Sequence, residues 1–535
     1  MNRLFSSFRI NLNLTHQLSS LMMKNIFFGV CMSFMFAQWS SDPGSPQLLG
    51  SGILPEVKAT SNGGAYIAWL TSGGFHVYIQ YVDETGTAQF EAGGMLVSDH
   101  SNSSWIAVYH LNLVVDHDNN AILTLVDQRS GPWNVFAYKI SPAGTMEWGE
   151  DGIQLSASNT ANYSPRITVL HDNSMVTAWS ENLSEVYIQR VSSEGEVLWG
   201  NGLNLSDNTE TFMAPLPKTT PSGELLLQWI GQSGPVWAAN SNIYLQKFDV
   251  DGNPQWNGAA LITGPVIIPM GNWLQETVIQ ESGGSFSAWT ELSGDVQSAL
   301  AQHIDNNGNH LWANDVLLSG NAAHFRTSPR IAIAENTQEM LAVWNESNGS
   351  QSMRGISAQR LDENGNRLWG DNGIVVVPLT SDYVYNDLAV MGMGEELITF
   401  YIQNNFTNTV SDIFSIRLDD NGDPFWDDEV VSITNSGQPK TDLKIAGING
   451  NFILSWSENG QIRAHCLRQD GTLGQPELNI VAGDINQDGV VTIVDIVHLV
   501  GIILGSLPNT QGSDLNDDGL TNVMDVFLLV NIVLG

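Results

Sequence analysis

The chain has 535 residues, which is room for two or three domains of ordinary size or for one large repetitive domain. Its 56 acidic and 20 basic residues give a net charge of −36, and a surface this negative repels phosphate backbones, so nucleic-acid binding is disfavoured. Charged residues make up only 14% of the chain, whereas Gly (51) and Trp (17) are abundant, a composition typical of a turn-rich β-protein.

The N-terminal segment predicts export. Residues 1–37 carry Arg3, Arg9 and Lys24 and no acidic residue, and an apolar run from Ile26 to Ala37 comes just after Lys24, which is the order of a secretory signal peptide. The Met-Met-Lys sequence at 22–24 offers Met22 or Met23 as an alternative to Met1 for the start of translation. The run is too short to span a membrane. We therefore expect a mature chain without a transmembrane segment, secreted or held at the surface of a bacterium. Cys466 is then its only thiol, so an intrachain disulfide is excluded.

A unit of about 50 to 60 residues repeats through the middle of the chain. Each unit contains an apolar strand that ends in a large side chain, a second strand that often carries Gln, and an Asp-x-x-Gly turn followed by an aromatic residue. The large side chain closing the first of these strands recurs eight times, at Trp69, Val126, Trp179, Trp229, Trp289, Trp344, Phe400 and Trp456. The eighth unit lacks its final Trp, and Trp39 at the other end of the mature chain could supply it.

Each unit reads as four short strands of alternating polarity joined by Gly, Asn and Asp turns. Units of four strands arranged radially form a β-propeller. The prediction for residues 38–478 is therefore an eight-bladed β-propeller, with seven blades as the alternative. The last blade is closed by the N-terminal strand near Trp39, which pairs with strands from residues 440–470 and removes an open edge.

The repeated polar and aromatic residues are predicted to be structural. We expect the strand glutamines to satisfy backbone groups, the turn Asp residues to bond their own turns, the Trp residues to pack between blades, and the acidic residue after Trp to accept turn amides. The glutamines are Gln80, Gln189, Gln246, Gln302 and Gln359. The turn residues are Asp83, Asp249, Asp305, Asp362 and Asp419. The acidic residues after Trp are Glu181, Glu291, Glu346 and Glu458.

Departures from the repeat point to a ligand site. The insertion from Gly231 to Asn242, which contains Trp237, lengthens the fourth unit, and irregular loops of this kind are where a propeller ligand is expected. The sequence contains no zinc-protease, nucleophile-elbow, phosphate-loop or dinucleotide motif. A pair of catalytic carboxylates leaves no sequence motif, because such residues are neighbours only in space.

The C-terminal 57 residues, 479–535, lack Lys and Arg and contain two segments with the spacing of a calcium loop. Oxygen ligands at loop positions 1, 3, 5, 9 and 12, a backbone carbonyl at 7 and Gly at 6 fit a seven-coordinate Ca²⁺. Two calcium ions are therefore predicted, with metal binding coupled to folding. The ligands in the first loop are Asp484, Asn486, Asp488, Val490, Thr492 and Asp495. Those in the second are Asp514, Asn516, Asp518, Leu520, Asn522 and Asp525.

Each loop is followed by one apolar helix, and the paired loop–helix halves with Asp at position 12 resemble a type I dockerin, a calcium-dependent docking module of secreted proteins. The resemblance implies a small α-helical domain that binds a cohesin-like partner through loop positions 10 and 11. Those positions are Ile493, Val494, Val523 and Met524, where the family commonly has Ser or Thr. The apolar helices need a covering surface, which is either the cohesin-like partner or the propeller itself.

Two functions are compatible with this organisation. The first is a secreted, calcium-binding, non-catalytic binding or adhesion protein, whose propeller recognises a ligand and whose tail docks it to a surface or assembly. The alternative is a polysaccharide-degrading enzyme, a glycosyl hydrolase or lyase, or a carbohydrate-binding subunit of a dockerin–cohesin complex. Two close carboxylates with exposed aromatic residues in a cleft on the ring favour the enzyme, whereas an axis filled with small apolar residues favours the binder.

Overall fold

The computed structural model describes residues 39–100, 111–235, 239–269, 276–448 and 450–474, together with 483, 485, 491–504, 507, 513–516 and 520–534. The chain divides into two compact units, residues 1–474 and 475–535. The signal-peptide prediction for residues 1–37 lies outside the described residues.

The first unit consists of eight four-stranded antiparallel sheets, the blades of a propeller. Blade 1 contains β2 (Ile53–Ala59), β3 (Ala65–Leu70), β4 (Val77–Val82) and β5 (Met95–Ser98). Blade 2 contains β6 (Leu111–Val115), β7 (Ala121–Asp127), β8 (Asn134–Ile140) and β9 (Ile153–Gln154). Blade 3 contains β10 (Asn162–Val169), β11 (Met175–Glu181), β12 (Glu185–Val191) and β13 (Leu203–Leu205). Blade 4 contains β14 (Thr211–Thr219), β15 (Leu225–Ser233), β16 (Asn240–Phe248) and β17 (Ala260–Ile267).

The remaining blades repeat this order. Blade 5 contains β18 (Glu276–Ile279), β19 (Ser285–Ser293), β20 (Val296–Ile304) and β21 (Val316–Leu317). Blade 6 contains β22 (His324–Ile333), β23 (Met340–Asn348), β24 (Arg354–Leu361) and β25 (Ile374–Thr380). Blade 7 contains β26 (Tyr383–Met393), β27 (Glu396–Asn405), β28 (Ser411–Leu418) and β29 (Val431–Ser432). Blade 8 contains β30 (Lys440–Ile448), β31 (Asn451–Glu458), β32 (Gln461–Leu467) and the N-terminal strand β1 (Gln47–Ser51).

Blade 8 closes the ring with strands from both ends of the propeller, as predicted. Strand β1 pairs antiparallel with β32, from Gln47 opposite Ala464 to Ser51 opposite Gln461. Because β1 pairs with the outer edge of β32, the backbone groups along that edge are hydrogen-bonded. The eight-bladed prediction is confirmed and the seven-bladed alternative is wrong.

The hydrophobic core lies between the blades. Among the described residues, eight hydrophobic clusters each combine residues of two neighbouring blades, including one that joins blades 8 and 1. The repeated Trp residues belong to these clusters, and Trp69, Trp344 and Trp456 are fully buried. The predicted packing role of the repeated Trp side chains is confirmed.

The second aromatic residue of each unit explains the glycine in the turn. Trp256 Nε1 donates a hydrogen bond to Asn306 O of the next blade, and a Cβ on Gly308 would lie 2.8 Å from the Trp256 ring. The φ of Gly308 is +85°, so the position requires Gly for both its backbone conformation and this close approach. Trp39 packs in the same way on Gly86 of blade 1, and it thereby supplies the aromatic residue that the eighth unit lacks.

The second unit contains two helices, α1 (Ile493–Ile503) and α2 (Val523–Leu534). Thr492 caps α1 with its side chain, and Asp495 completes a capping box. The helices pack on each other through a small core that includes Leu499, Ile502 and Leu529. No helix in the described part of the chain is long and apolar enough to cross a lipid bilayer.

Candidate functional site

An open cavity of about 1380 Å³ lies on the axis of the propeller. The first strand of every blade contributes to its wall, so these strands are the innermost ones. The cavity exceeds the usual ~300–1,000 Å³ of a small-molecule pocket, which makes it large enough for several sugar units.

A backbone irregularity recurs at the mouth of this cavity. Six innermost strands, β2, β10, β14, β22, β26 and β30, break register by a β-bulge. In each strand a non-Gly residue at the bulge has a positive φ, between 49° and 62°; these residues are Leu54, Ser164, Ala214, Ser328, Asp387 and Asp442. In the other two innermost strands, β6 and β18, the equivalent positions lie outside the described residues.

The bulges determine which side chains reach the cavity. The residue two positions after the positive-φ residue lines the cavity in all six strands: Glu56, Arg166, Leu216, Arg330, Ala389 and Lys444. A left-handed non-Gly residue costs roughly 1–2 kcal/mol, and bulges are frequent next to active sites because they re-aim side chains. Repetition of this costly conformation around one cavity makes the cavity the candidate functional site.

Two ion pairs bridge neighbouring blades in the cavity wall. Lys444 Nζ on blade 8 lies 2.7 Å from Glu56 Oε1 on blade 1. Arg330 Nη1 on blade 6 lies 2.9 Å from Glu276 Oε1 on blade 5, and Arg330 Nε donates to Leu388 O on blade 7 at 3.0 Å. Burial raises the pKa of Glu56, but the charges of nearby cations, Lys444 first, outweigh it, so the pKa lies below its usual value.

Two carboxylates of blades 7 and 8 meet at the cavity wall. Asp387 Oδ2 accepts hydrogen bonds from the backbone N–H groups of Asp442, at 2.6 Å, and Leu443, at 3.3 Å. Both aspartates also line an adjoining polar recess of about 410 Å³. Burial raises the pKa of Asp442, and the negative charge of Asp387 raises it further. The pair therefore combines an oriented carboxylate with a carboxyl group that holds its proton to higher pH than an exposed Asp.

The glutamine and aspartate repeats have the structural roles predicted for them. Gln359 accepts from the N–H groups of Arg360 and Trp369 and donates to Gly370 O at 2.7 Å, and Gln80 and Gln189 make the same three kinds of bond. Asp362 accepts from the backbone N–H groups two and four residues later in its own turn. These residues are therefore not ligands of the cavity.

The repeated acidic residues were predicted to accept hydrogen bonds from turn amides, and this prediction is wrong. Glu346 lies 2.6 Å from His324 Nδ1, Glu181 accepts from the hydroxyls of Ser158 and Thr160, and Glu458 lies near Lys440 Nζ. These partners are side chains of other segments of the same blades or of the preceding connections, not amides of the hairpin. Each of these glutamates pairs in register with one of the first residues of the first strand of its blade, so the side chains of that region are its neighbours.

The irregular fourth unit does contribute to the cavity. Gln232, Ser233, Gly234 and Ala239 line it, as expected for the insertion. Trp237 lies outside the described residues. On the same side, Tyr163 and the segment from Asp207 to Thr211 complete the mouth.

The C-terminal unit shows part of each predicted calcium loop. Asp495, at position 12, is fully buried; its Oδ1 accepts from Ile485 N at 2.9 Å and its Oδ2 from Thr492 N at 2.7 Å. Asp525 makes the equivalent bonds with Leu515 N and Asn522 N, both at 2.8 Å. The two halves therefore close their loops identically. A carboxylate has about four acceptor sites, so these bonds are compatible with metal ligation as well.

Several predicted ligands are not placed by the structure. Asp484, Asn486, Asp488, Val490 and Asp518 lie outside the described residues. Over the C-terminal residues that are described, no three acidic, His or Cys side chains converge on one point. The calcium sites remain a prediction.

The four predicted partner contacts are all accessible in the C-terminal unit. Ile493 is 69% exposed, Val494 50%, Val523 65% and Met524 56%. Large apolar side chains this exposed are unusual on a free helix surface and are typical of a docking face.

No sequence motif indicates the residues of the cavity wall. Asp387 and Asp442 are 55 residues apart in the chain and stand in no motif. A weak signal was present, because four units contain a Pro directly after the positive-φ residue and before the cavity residue: Pro55, Pro165, Pro215 and Pro329. This recurring Pro at the start of a strand predicts an edge or a bulge, and the residue after it then deserves inspection as a ligand contact.

Comparison with known proteins gives structural likeness only. No family model and no curated protein sequence matches the chain. Similar solved structures include a polysaccharide lyase of family PL25, an ulvan lyase bound to -[GlcA(1-4)Rha3S]-, with 9% identity, a TM-score of 0.44 and coverage of 83% of this chain and 98% of that chain. The polysaccharide lyase Uly1 has 9% identity, a TM-score of 0.41 and coverage of 81% and 93%. An α-L-arabinanase of Penicillium chrysogenum has 13% identity, a TM-score of 0.34 and coverage of 58% and 94%.

Proposed function

We propose that the propeller binds a polysaccharide in the axial cavity and cleaves its glycosidic bonds, with Asp387 and Asp442 as the catalytic carboxylates. The observation that carries the proposal is this pair on adjacent blades, in an open cavity large enough for a sugar chain. Glycosidases typically use two carboxyl groups in different environments, one protonated and one ionised. Enzymes of polysaccharide cleavage are among the similar structures, but the proposal rests on the cavity itself.

Asp442 is suited to the role of general acid. Its pKa is raised by burial and by the charge of Asp387, so it keeps a proton available for the oxygen of the leaving sugar. Asp387 is held by two backbone N–H groups and acts on the other side of the bond, as base towards water or as nucleophile. The charged groups at the axis support the enzymatic alternative over a binding protein with an apolar axis.

A cleavage assay with matched variants tests this function. The full mature chain is incubated with a panel of neutral and acidic polysaccharides, and new reducing ends are counted. Asp442→Asn and Asp387→Asn are each expected to lower kcat at least about a hundredfold, because each removes a proton-transfer or nucleophilic group. Asp251→Asn, on an exposed turn of blade 4, is the control and keeps full activity.

Two results would reject the assignment. Failure of the wild-type chain to cleave any polymer of the panel contradicts the enzymatic role. Full activity in both aspartate variants contradicts the placement of the site. Products with unsaturated ends would instead assign an elimination reaction to the same cavity.

For the C-terminal unit we propose the role that its sequence predicts: two Ca²⁺ ions, held by the loops that end at Asp495 and Asp525, stabilise a docking module for a cohesin-like partner. The exposed apolar residues at loop positions 10 and 11 support a docking face. Retention of a cohesin-like module by the full chain in calcium and not in chelator is the expected result. Retention that is unaffected by chelator would contradict it.

A further inference from the structure

Three cations, Lys444, Lys58 and Arg166, lie close enough to Glu56 at the axial cavity to lower the pKa of its carboxyl group. Arg166 and Lys444 line the cavity wall with Glu56, and Lys58 and Lys218 follow two residues further along β2 and β14. We call these five residues the cationic cluster; its net charge is +3. The chain as a whole carries −36 and has only 20 basic residues, so four of them on four of the innermost strands are a local concentration.

The cluster is not explained by ion pairing. Lys444 binds Glu56, but across the described residues no carboxylate lies within ion-pair distance of Arg166, Lys58 or Lys218, and their side chains make no hydrogen bond there. The side chain of Lys58 is exposed to solvent, and those of Arg166 and Lys218 are half-buried. Most other basic residues of the propeller contact a carboxylate; Arg360, for example, contacts both Glu339 and Glu395.

The unpaired cations repel one another. Although the Lys58 side chain is accessible to solvent, the surrounding protein desolvates it and lowers its pKa, and the charges of Lys218, Lys444 and Arg166 lower it further despite Glu56. A bound anion would remove this repulsion and supply the missing hydrogen-bond acceptors. The cavity lining also contains carboxylates, among them Glu185, Asp207 and Glu210, so the attraction for an anion is confined to the cationic cluster.

We infer that the polysaccharide is anionic and that a sulfate or carboxylate group of one of its sugars sits among Arg166, Lys58 and Lys218. This inference rests on the proposed function for its polymer, but its evidence is the cationic cluster and not the aspartate pair. Sulfate and carboxylate groups are both oxyanions, and both accept charge-assisted hydrogen bonds from Arg and Lys N–H groups.

The test compares dextran with dextran sulfate, which has the same backbone and added negative charge, and with a second anionic polymer of a different backbone. Binding of the full mature chain is measured with dextran, dextran sulfate and unsulfated polygalacturonate, together with Arg166→Gln, Lys58→Gln and the control Arg367→Gln. Arg367 lies outside the cavity wall, and its substitution by Gln removes one positive charge, as each cluster variant does. Each cluster variant is expected to lower affinity for the anionic polymer about tenfold or more, since a charged hydrogen bond contributes ~1.5–3 kcal/mol. The cluster variants should bind dextran as the wild type does, and Arg367→Gln should bind the anionic polymers with wild-type affinity.

The two anionic polymers separate the two sources of the anion. Preference for dextran sulfate assigns a sulfate ester, and preference for polygalacturonate assigns a carboxylate. A second measurement guards against misfolded variants: inorganic sulfate should raise the melting temperature of the wild-type chain and of Arg367→Gln, but not of Arg166→Gln. Tighter binding of dextran than of either anionic polymer, or equal affinity of the cluster variants and the control, would overturn the inference.

Failure of this inference and failure of the proposed function give different results. If Asp442→Asn binds the anionic polymer as the wild type does and neither cleaves it, the anion site stands and the enzymatic role falls. If the wild type cleaves a neutral polymer and Arg166→Gln is as active as the control, the enzymatic role stands and the anion site falls.

Discussion

Asp442 lies between opposing influences, and their balance predicts a pH dependence. Burial and Asp387 raise its pKa, while Lys444 lowers it. A general acid works while it is protonated, so activity is lost as the pH rises through this pKa. Lys444→Gln removes the lowering charge and is expected to move the alkaline limb of the kcat profile to higher pH.

This shift separates electrostatics from loss of binding. Lys444→Gln also removes the ion-pair partner of Glu56, so the KM of this variant can rise. Only a changed pKa of the general acid moves the alkaline limb of the kcat profile. Arg367→Gln should leave the limb where it is. A limb that moves to lower pH, or stays in place, would contradict the role of Asp442 as the acid.

Gln359 illustrates the structural repeat at the same scale. Its side chain satisfies two N–H groups and one carbonyl in the blade interior. Gln359→Leu leaves these groups without that partner and is expected to cost about 1–3 kcal/mol of the free energy of unfolding. Urea denaturation measures this loss. An unchanged midpoint and slope would show that the glutamine is dispensable to the blade.

Strand β1 is the element on which closure of the ring depends. It covers β32, and Trp39 packs on Gly86 of blade 1. Removal of residues 39–51 therefore exposes a strand edge and a hydrophobic interface together, and we expect a strongly lowered melting temperature. Trp39→Ala alone should cost about 3–5 kcal/mol, because the ring is almost fully buried. A melting curve identical to that of the wild type after the deletion would contradict closure by this strand.

The loop–helix pairs give a prediction at the same scale. Asp484→Ala combined with Asp514→Ala removes the first ligand of each predicted calcium loop, and we expect loss of calcium binding and unfolding of residues 479–535 with the propeller intact. Calorimetric titration with calcium and the two melting transitions measure this. Calcium affinity equal to that of the wild type would reject the site assignment.

The whole molecule shows what a repetitive sequence can and cannot reveal. Blade number, ring closure and the roles of Gln359 and Asp362 were predictable because these residues recur in phase with the fold. Asp387 and Asp442 were not, because each is one acid among 56, and only the curvature of the ring brings blades 7 and 8 together at the axis. The bulges that expose Arg166 and Lys444 depend on backbone conformation, which Pro marks in only some units.

The most direct test of the central claim is a crystal structure of Asp442→Asn with a bound oligosaccharide from the preferred polymer. The expected result is a sugar chain in the axial cavity, with a glycosidic oxygen next to residue 442 and the other carboxylate, Asp387, across the bond. Sugar bound only on the outer strands of the blades, with the axial cavity empty at saturating ligand, would contradict it.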